Sequence, residues 1–234
     1  MHPILKDIRL ISFDLDGTLI DSVPDLAAAV DRVLSELELP QAGIEKVRHW
    51  VGNGSFKLVE QALTDALGMA PEASLLAQGH ERFLYHYGQD VGSRTQLYPG
   101  VIEALAGLRA QGLILTLVTN KPKAFVPSIL QSFGLAEYFS LFLGGDSLPQ
   151  KKPDPAPLLH VAEHFGIPPA ACLMVGDSRH DMRAGKAAGF RTLAVSYGYN
   201  HGDPVSQSQP EALVESLAEL IIPSAAQVAA RSEA

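Results

Sequence analysis

A single cysteine, Cys172, stands among the 234 residues, so no internal disulfide can form. It lies in the apolar run "ACLMVG", where the expected role is a small buried hydrophobe rather than a reactive thiol. Basic residues are scarce too: 18 Lys and Arg stand against 26 Asp and Glu, for a net charge of −8. That balance offers no electrostatic footprint for nucleic acid or an anionic membrane. No window approaches the ~18 uncharged apolar residues of a membrane span. The opening "MHPILKDIRL" lacks the long apolar centre of a secretory signal. These absences make a soluble, cytoplasmic protein the expectation, with no nucleic-acid or membrane partner and an oligomeric state open between monomer and dimer.

The rest of the composition, 47% hydrophobic and 19% charged, is that of an ordinary globular chain. Its length suits one large core, or a core with a smaller satellite. Five short apolar runs predict strands: "IRLISF" (8–13), "LILTLV" (113–118), "LFLGG" (141–145), "CLMVG" (172–176) and "RTLAVS" (191–196). Helix-length segments separate the last four, at 123–133, 156–165 and 182–188. Strands alternating with helices imply an α/β fold: a Rossmann-like parallel sheet with helices on both faces.

The first interval breaks this rhythm. About a hundred residues separate Phe13 from Leu113, far more than one crossover needs. Most of the interval reads as helix. Ser22 is placed to cap "VPDLAAAVDRVLSEL", with Pro24 in the first turn and Asp25 at the third position. "GSFKLVEQALTDALG" stops at Gly68, and "PEASLLAQGHERFLYHY" forms a third helix. The expected organisation is therefore a core of residues 1–21 and 97–222, an inserted α-helical cap at 22–96 and a flexible tail at 223–234. An insert whose ends are neighbours can act as a lid.

Ligands of open parallel sheets bind outside the carboxyl ends of the strands. Here "IRLISF" is followed by Asp14, "LILTLV" by Thr119 and Asn120, and "CLMVG" by Asp177. Lys151 and Lys152 precede a later helix in "PQKKPDPAPLL", a loop stiffened by Pro153 and Pro155. One Asp after a strand is usually a turn residue. Carboxylates, an ammonium and small hydroxyl or amide groups at one edge are what an oxygen-preferring divalent cation and a phosphoryl group require. Alternate residues of an extended chain point the same way, so Asp14 and Asp16 can share a pocket while Leu15 packs inward.

These motifs resemble the haloacid dehalogenase-like superfamily of Mg²⁺-dependent phosphotransferases. "DLDGT", Thr119-Asn120, Lys152-Pro153 and "GDSRHD" (176–181) match its four motifs in order, across almost the whole chain. The resemblance implies that Asp14 attacks phosphorus and forms an aspartyl-phosphate, while Asp16 serves as proton donor and then acceptor. It implies that Mg²⁺ is held by Asp14, the backbone carbonyl of Asp16 and Asp177, with Asp181 behind them. Lys152 would offset charge, and Thr119 and Asn120 would bind phosphoryl oxygens. Gly17 would permit the turn after Asp16. Lys151 reads as the bland neighbour of Lys152, and His180 as a bystander. The histidines at 80, 86, 160 and 164 read as surface or packing residues.

The most unusual stretch of the insert is "RHWVGNG" (48–54), whose glycines flank Asn53 ahead of a helix. It suits either a small anion or a plain turn. "IDSVPDL", "VRHWVGNG", "TNKP", "GGDSLPQKKPDPAPLL" and "YGYNHG" are similar to bacterial phosphoglycolate phosphatases, which hydrolyse 2-phosphoglycolate to glycolate and phosphate. That resemblance implies a small phosphorylated metabolite as partner, with Arg48 or Asn53 meeting its carboxylate. A sugar-phosphate phosphatase or a phosphoglucomutase-like phosphotransferase would use the same core. A phospho-accepting signalling receiver would have neither the insert nor Asp16.

Overall fold

The computed structural model describes residues 1–221, so the expected tail, and Ile222 before it, lie outside the described residues. Strand β1 (Leu10–Phe13) is followed by the two-residue strand β2 (Ile20–Asp21). Four helices come next: α1 (Val23–Glu36), α2 (Gly43–Trp50), α3 (Ser55–Leu67) and α4 (Ala73–Gln89). The chain returns through β3 (Gln96–Leu97), α5 (Val101–Ala110) and β4 (Ile114–Val118). It then continues through α6 (Val126–Ser132), β5 (Leu141–Leu143), α7 (Ala156–His164) and β6 (Cys172–Gly176). Helix α8 (Arg179–Ala188) and strands β7 (Arg191–Val195) and β8 (Ala212–Val214) complete the order.

Six strands form one parallel sheet in the order β5-β4-β1-β6-β7-β8. Strand β1 lies inside it, with Leu10 opposite both Ile114 and Cys172. All four of its residues are buried. Their alternation divides them between two cores. Ile11 and Phe13 join Leu115 and Leu117 against Val101, Leu105 and Leu108 of α5. Leu10 joins Val118 and Met174 on the other face, against α7 and α8. Cys172 is fully buried, and burial pushes its thiol up to about 11, so it is an unreactive core residue.

Helices α1 to α4 enclose an apolar cluster of their own, with Val30, Leu34, Val59, Leu63 and Phe83 near its middle. The two chain segments that join them to the sheet run side by side. Ile20 pairs with Leu97 and Asp21 with Gln96, antiparallel. Asp25 reinforces this junction. Its buried carboxylate accepts hydrogen bonds from the backbone N–H groups of Arg94 and Thr95, each at 3.0 Å.

Several expectations need correction at this level. Helix α2 was not expected. Ile44, Val47 and Trp50 recur at helical spacing and could have revealed it, although Val47 alone of its eight residues is buried. Strands β2, β3 and β8 have two or three residues each, too few for a periodic signal. Ser22 does not cap α1 with its side chain. Its hydroxyl donates to Asp16 instead, at 2.5 Å. Asp25 stands in the first turn as expected, and its carboxylate reaches across to the returning chain. His180 is buried, with its Nε2 3.1 Å from Nε2 of His201, so it is no exposed bystander.

Glycine sets how closely α8 approaches the sheet. A Cβ on Gly185 would lie 2.7 Å from Thr192 Cγ2 and 3.1 Å from Met174 Cβ. Gly185→Val is expected to lower stability by ~1–3 kcal/mol through overpacking. Thermal unfolding should show a Tm lower by roughly 3–10 °C, and an unchanged Tm would refute the close approach.

Candidate active site

Two chain segments bring four acids to the carboxyl edge of the sheet, the exit of β1 and the passage from β6 into α8. Asp14 leaves β1 directly, and the turn beyond Asp16 depends on Gly17, whose φ is +86°. A Cβ at that position would stand 2.3 Å from Asp177 Oδ2, so only glycine lets the two segments meet. Asp177 follows β6, and Asp181 lies in the first turn of α8. Gly198, beyond β7, closes the far side. Its added Cβ would fall 2.1 Å from Asp177 Cβ.

Each carboxylate is oriented by donors. Asp177 accepts the Thr18 hydroxyl on Oδ1 and the Tyr199 N–H on Oδ2, both at 2.8 Å. Asp181 accepts the Ser178 N–H at 3.1 Å and hydroxyl at 2.7 Å on one oxygen. Its other oxygen lies 2.6 Å from Lys152 Nζ, which is also 2.9 Å from Asp14 Oδ1. Asp16 faces a different cation. Lys121 Nζ donates to its two oxygens at 2.8 and 3.1 Å.

Ligand oxygens of Asp14, Asp177 and Asp181 lie within 4.8 Å of one another, and all three residues are buried. Lys152 is the ammonium paired with this group, so three negative charges meet one positive charge. Burial pushes the Asp14 carboxyl up to about 7, against the pull of Lys152. Burial, then the charges of Asp181 and Asp14, raise Asp177 well above the usual carboxylate range. Burial opposes both ammonium groups, yet their acid partners hold Lys121 and Lys152 above the ordinary lysine value. An all-oxygen donor set with two uncompensated negative charges fits a hard divalent cation. Asp14, Asp177 and Asp181 each offer it an oxygen, and Asp181 alone of the three carries the Lys152 ammonium on one oxygen and two donors from Ser178 on the other.

The cavity beside this cluster is lined by Asp14, Asp16, Thr119 and Asn120, and by residues of the helical insert. Thr119 Oγ1 accepts the Lys121 N–H at 3.1 Å. Asn120 differs from expectation. Its amide Nδ2 donates to the carbonyls of Gly52 at 3.0 Å and Lys152 at 2.9 Å, tying the insert to the lysine loop. Its side-chain N–H groups are therefore spent on protein carbonyls rather than held for phosphoryl oxygens.

Neither Arg48 nor Asn53 lines the cavity. The Arg48 guanidinium lies 3.6 Å from Asp21 Oδ2 and 5.4 Å from the centre of the Tyr199 ring. Asn53 contributes its backbone carbonyl, which accepts from Lys151 Nζ at 2.8 Å. Lys151 is thus a bridge between core and insert, not a bland neighbour. Sequence reasoning overlooked Lys121, Thr18, Ser22 and Tyr199. For Lys121 the available signal was Asp16 itself, a partly buried acid in need of a counter-charge.

Breaking a buried ion pair by removing one partner leaves the other uncompensated. In metal-free protein, Lys152→Met is expected to cost ~3–5 kcal/mol in urea unfolding. Parent-like stability would sink this account of the charge cluster.

Comparison with known proteins agrees with this geometry. A family model described as haloacid dehalogenase-like hydrolase matches residues 8–189. A phosphoglycolate phosphatase of Nitrosococcus oceani is 46% identical over 217 residues, covering 93% of this chain and 96% of the relative. One from Pseudomonas putida is 49% identical over 214 residues, covering 91% of this chain and 78% of the relative. The crystal structure of a predicted phosphoglycolate phosphatase from Haemophilus somnus 129pt superposes with a TM-score of 0.88 at 40% identity, covering 92% of this chain and 96% of that one. Among the described residues no helix is long and apolar enough to cross a membrane. The order of the strands, the acids at their carboxyl ends and these relatives lead to one conclusion: the chain belongs to the haloacid dehalogenase-like hydrolases.

Proposed function

We propose that the protein is a Mg²⁺-dependent phosphomonoesterase that hydrolyses 2-phosphoglycolate through an aspartyl-phosphate on Asp14. The observation that carries this reading is the separation of duties between two acids on one strand exit. Asp14 belongs to the cluster of Lys152, Asp177 and Asp181, whereas Asp16 is held apart by Lys121 and Ser22.

An oxygen of Asp14 attacks phosphorus and the ester bond to the substrate breaks. Asp16 delivers its proton to the departing alkoxide, and glycolate leaves. Asp16 then accepts a proton from water, which attacks the aspartyl-phosphate and frees both phosphate and Asp14. Asp14, Asp177 and the backbone carbonyl of Asp16 would hold a divalent cation, whose charge would offset the repulsion between the attacking carboxylate and the phosphate. Lys152 contributes to the same end through its contact with Asp14, and Thr119 is placed to hold a phosphoryl oxygen.

The helical block at 22–96 acts as the lid that selects the substrate and keeps bulk water out. It supplies Leu26, Leu58, Phe83 and Tyr87 to the cavity wall. About 40 Å³ of free space remains, room for roughly three waters at ~10–15 Å³ each. We assign the chamber to a short phosphate ester rather than a sugar phosphate. The relatives named phosphoglycolate phosphatase support the same choice.

Phosphate release measured with Mg²⁺ across a panel of phosphomonoesters should rank 2-phosphoglycolate first by kcat/KM. Asp14→Asn should abolish turnover, and Asp16→Asn should slow it by ~10²–10⁴. A sugar phosphate preferred by about tenfold would overturn the substrate and leave the reaction class standing. Adding Mg²⁺ should also raise the Tm of the protein by mass action, and Asp177→Asn should remove that shift. A full shift in the variant would exclude Asp177 as a ligand.

A further inference from the structure

Lys121 takes no part in attack or proton transfer, yet its ammonium is buried in the wall of the catalytic cavity. It is the one cationic side chain among the described residues of that wall. Besides its contacts with Asp16, Nζ lies 4.8 Å from the centre of the Tyr87 ring. Tyr87 lines the same cavity, 2% exposed, and its hydroxyl has no hydrogen-bond partner among the described residues. Asp16 does not depend on Lys121 alone, because the Ser22 hydroxyl also holds it.

The substrate's own dimensions create the need for such a group. In 2-phosphoglycolate the carboxylate carbon stands two bonds from the leaving oxygen. Asp16 must come within hydrogen-bond distance of that oxygen, ~2.6–3.2 Å. As its proton passes to that oxygen, Asp16 becomes a carboxylate beside the substrate's own, in a cavity with little water. Like charges in such a place repel strongly unless a cation lies between them. The remaining walls, Leu26, Val51, Leu58 and Phe83 among them, offer no charge.

We propose that Lys121, with the buried Tyr87 hydroxyl as second donor, selects substrates whose carboxylate stands two bonds from the leaving oxygen. The inference rests on the phosphatase reading above and names the residues that confer its substrate preference. Arg48 and Asn53, the candidates suggested by the sequence, lie outside the cavity wall.

Ethyl phosphate, which carries a methyl group where 2-phosphoglycolate carries its carboxylate, is the reference substrate. The parent should prefer 2-phosphoglycolate. In Lys121→Met the fall in kcat/KM should be ~100-fold greater for 2-phosphoglycolate than for ethyl phosphate, the range expected for a lost hydrogen bond to a charged group. Tyr87→Phe should show a smaller selective loss, about tenfold. Thermal unfolding confirms that each variant is folded; if Lys121→Met is not, Lys121→Gln is read the same way. Equal losses on both substrates would reduce Lys121 to a support for Asp16 and overturn the inference alone. A parent that hydrolyses the two equally would overturn the substrate reading itself.

Discussion

Asp14, Asp16, Asp177 and Asp181 gather at the carboxyl edge of one sheet, three of them buried, and two buried ammonium groups pair with all but Asp177. Removing charge from water is costly, and only close, well-directed partners offset it. Much of the surrounding architecture serves that end. Gly17 and Gly198 allow backbone to approach Asp177 where any side chain would collide. The Asn120 amide fixes the loop that carries Lys152. Thr18 and Tyr199 aim Asp177 from opposite sides. The compensation is deliberately incomplete in the cluster around Asp14, which leaves a place for positive charge from outside the protein.

The second cation pair has a different character. Lys121 and Asp16 face the cavity rather than the sheet, and the insert supplies the aromatic ring beside the ammonium. The reaction centre is therefore divided along a physical line. One side is a polar, charge-compensated cradle built by the core. The other is a narrow apolar chamber built with the insert, and Asp16 stands between the two.

What could be read in the sequence followed from local pattern. β1 and the acids after it were legible because a buried strand needs a continuous apolar run and because acids are out of place at its end. The cradle was legible for the same reason, since strand ends converge on one edge in a parallel sheet. Partnerships across the chain were not legible. Nothing in the neighbourhood of Ser22 reveals that its hydroxyl turns away from α1 toward Asp16. Asn120 reads as a ligand-binding amide until the carbonyls of Gly52 and Lys152 are seen to occupy it. Arg48 reads as an anion site until Asp21, on a strand of two residues, is found beside it. Helix α2 escaped although Ile44, Val47 and Trp50 stand at helical spacing, because it is only eight residues long and lies beside the glycine-flanked stretch that reads as a turn.

The junction at the foot of the insert bears on how the chain finds this arrangement at all. Ser12 and Thr116, hydrogen-bonded across β1 and β4, are 104 residues apart in sequence. Closing so long a loop is slow, and sheets that rely on distant partners fold late. Once Ile20 has met Leu97 and Asp25 has gripped the backbone at Arg94 and Thr95, that distance is short-circuited. The effective loop shrinks roughly fourfold, which lowers its closure cost by about 1.2 kcal/mol. A carboxylate remote from the chemistry thus ties the two ends of the helical block together, so that in the folded protein the distant strands of the sheet are joined by a short path.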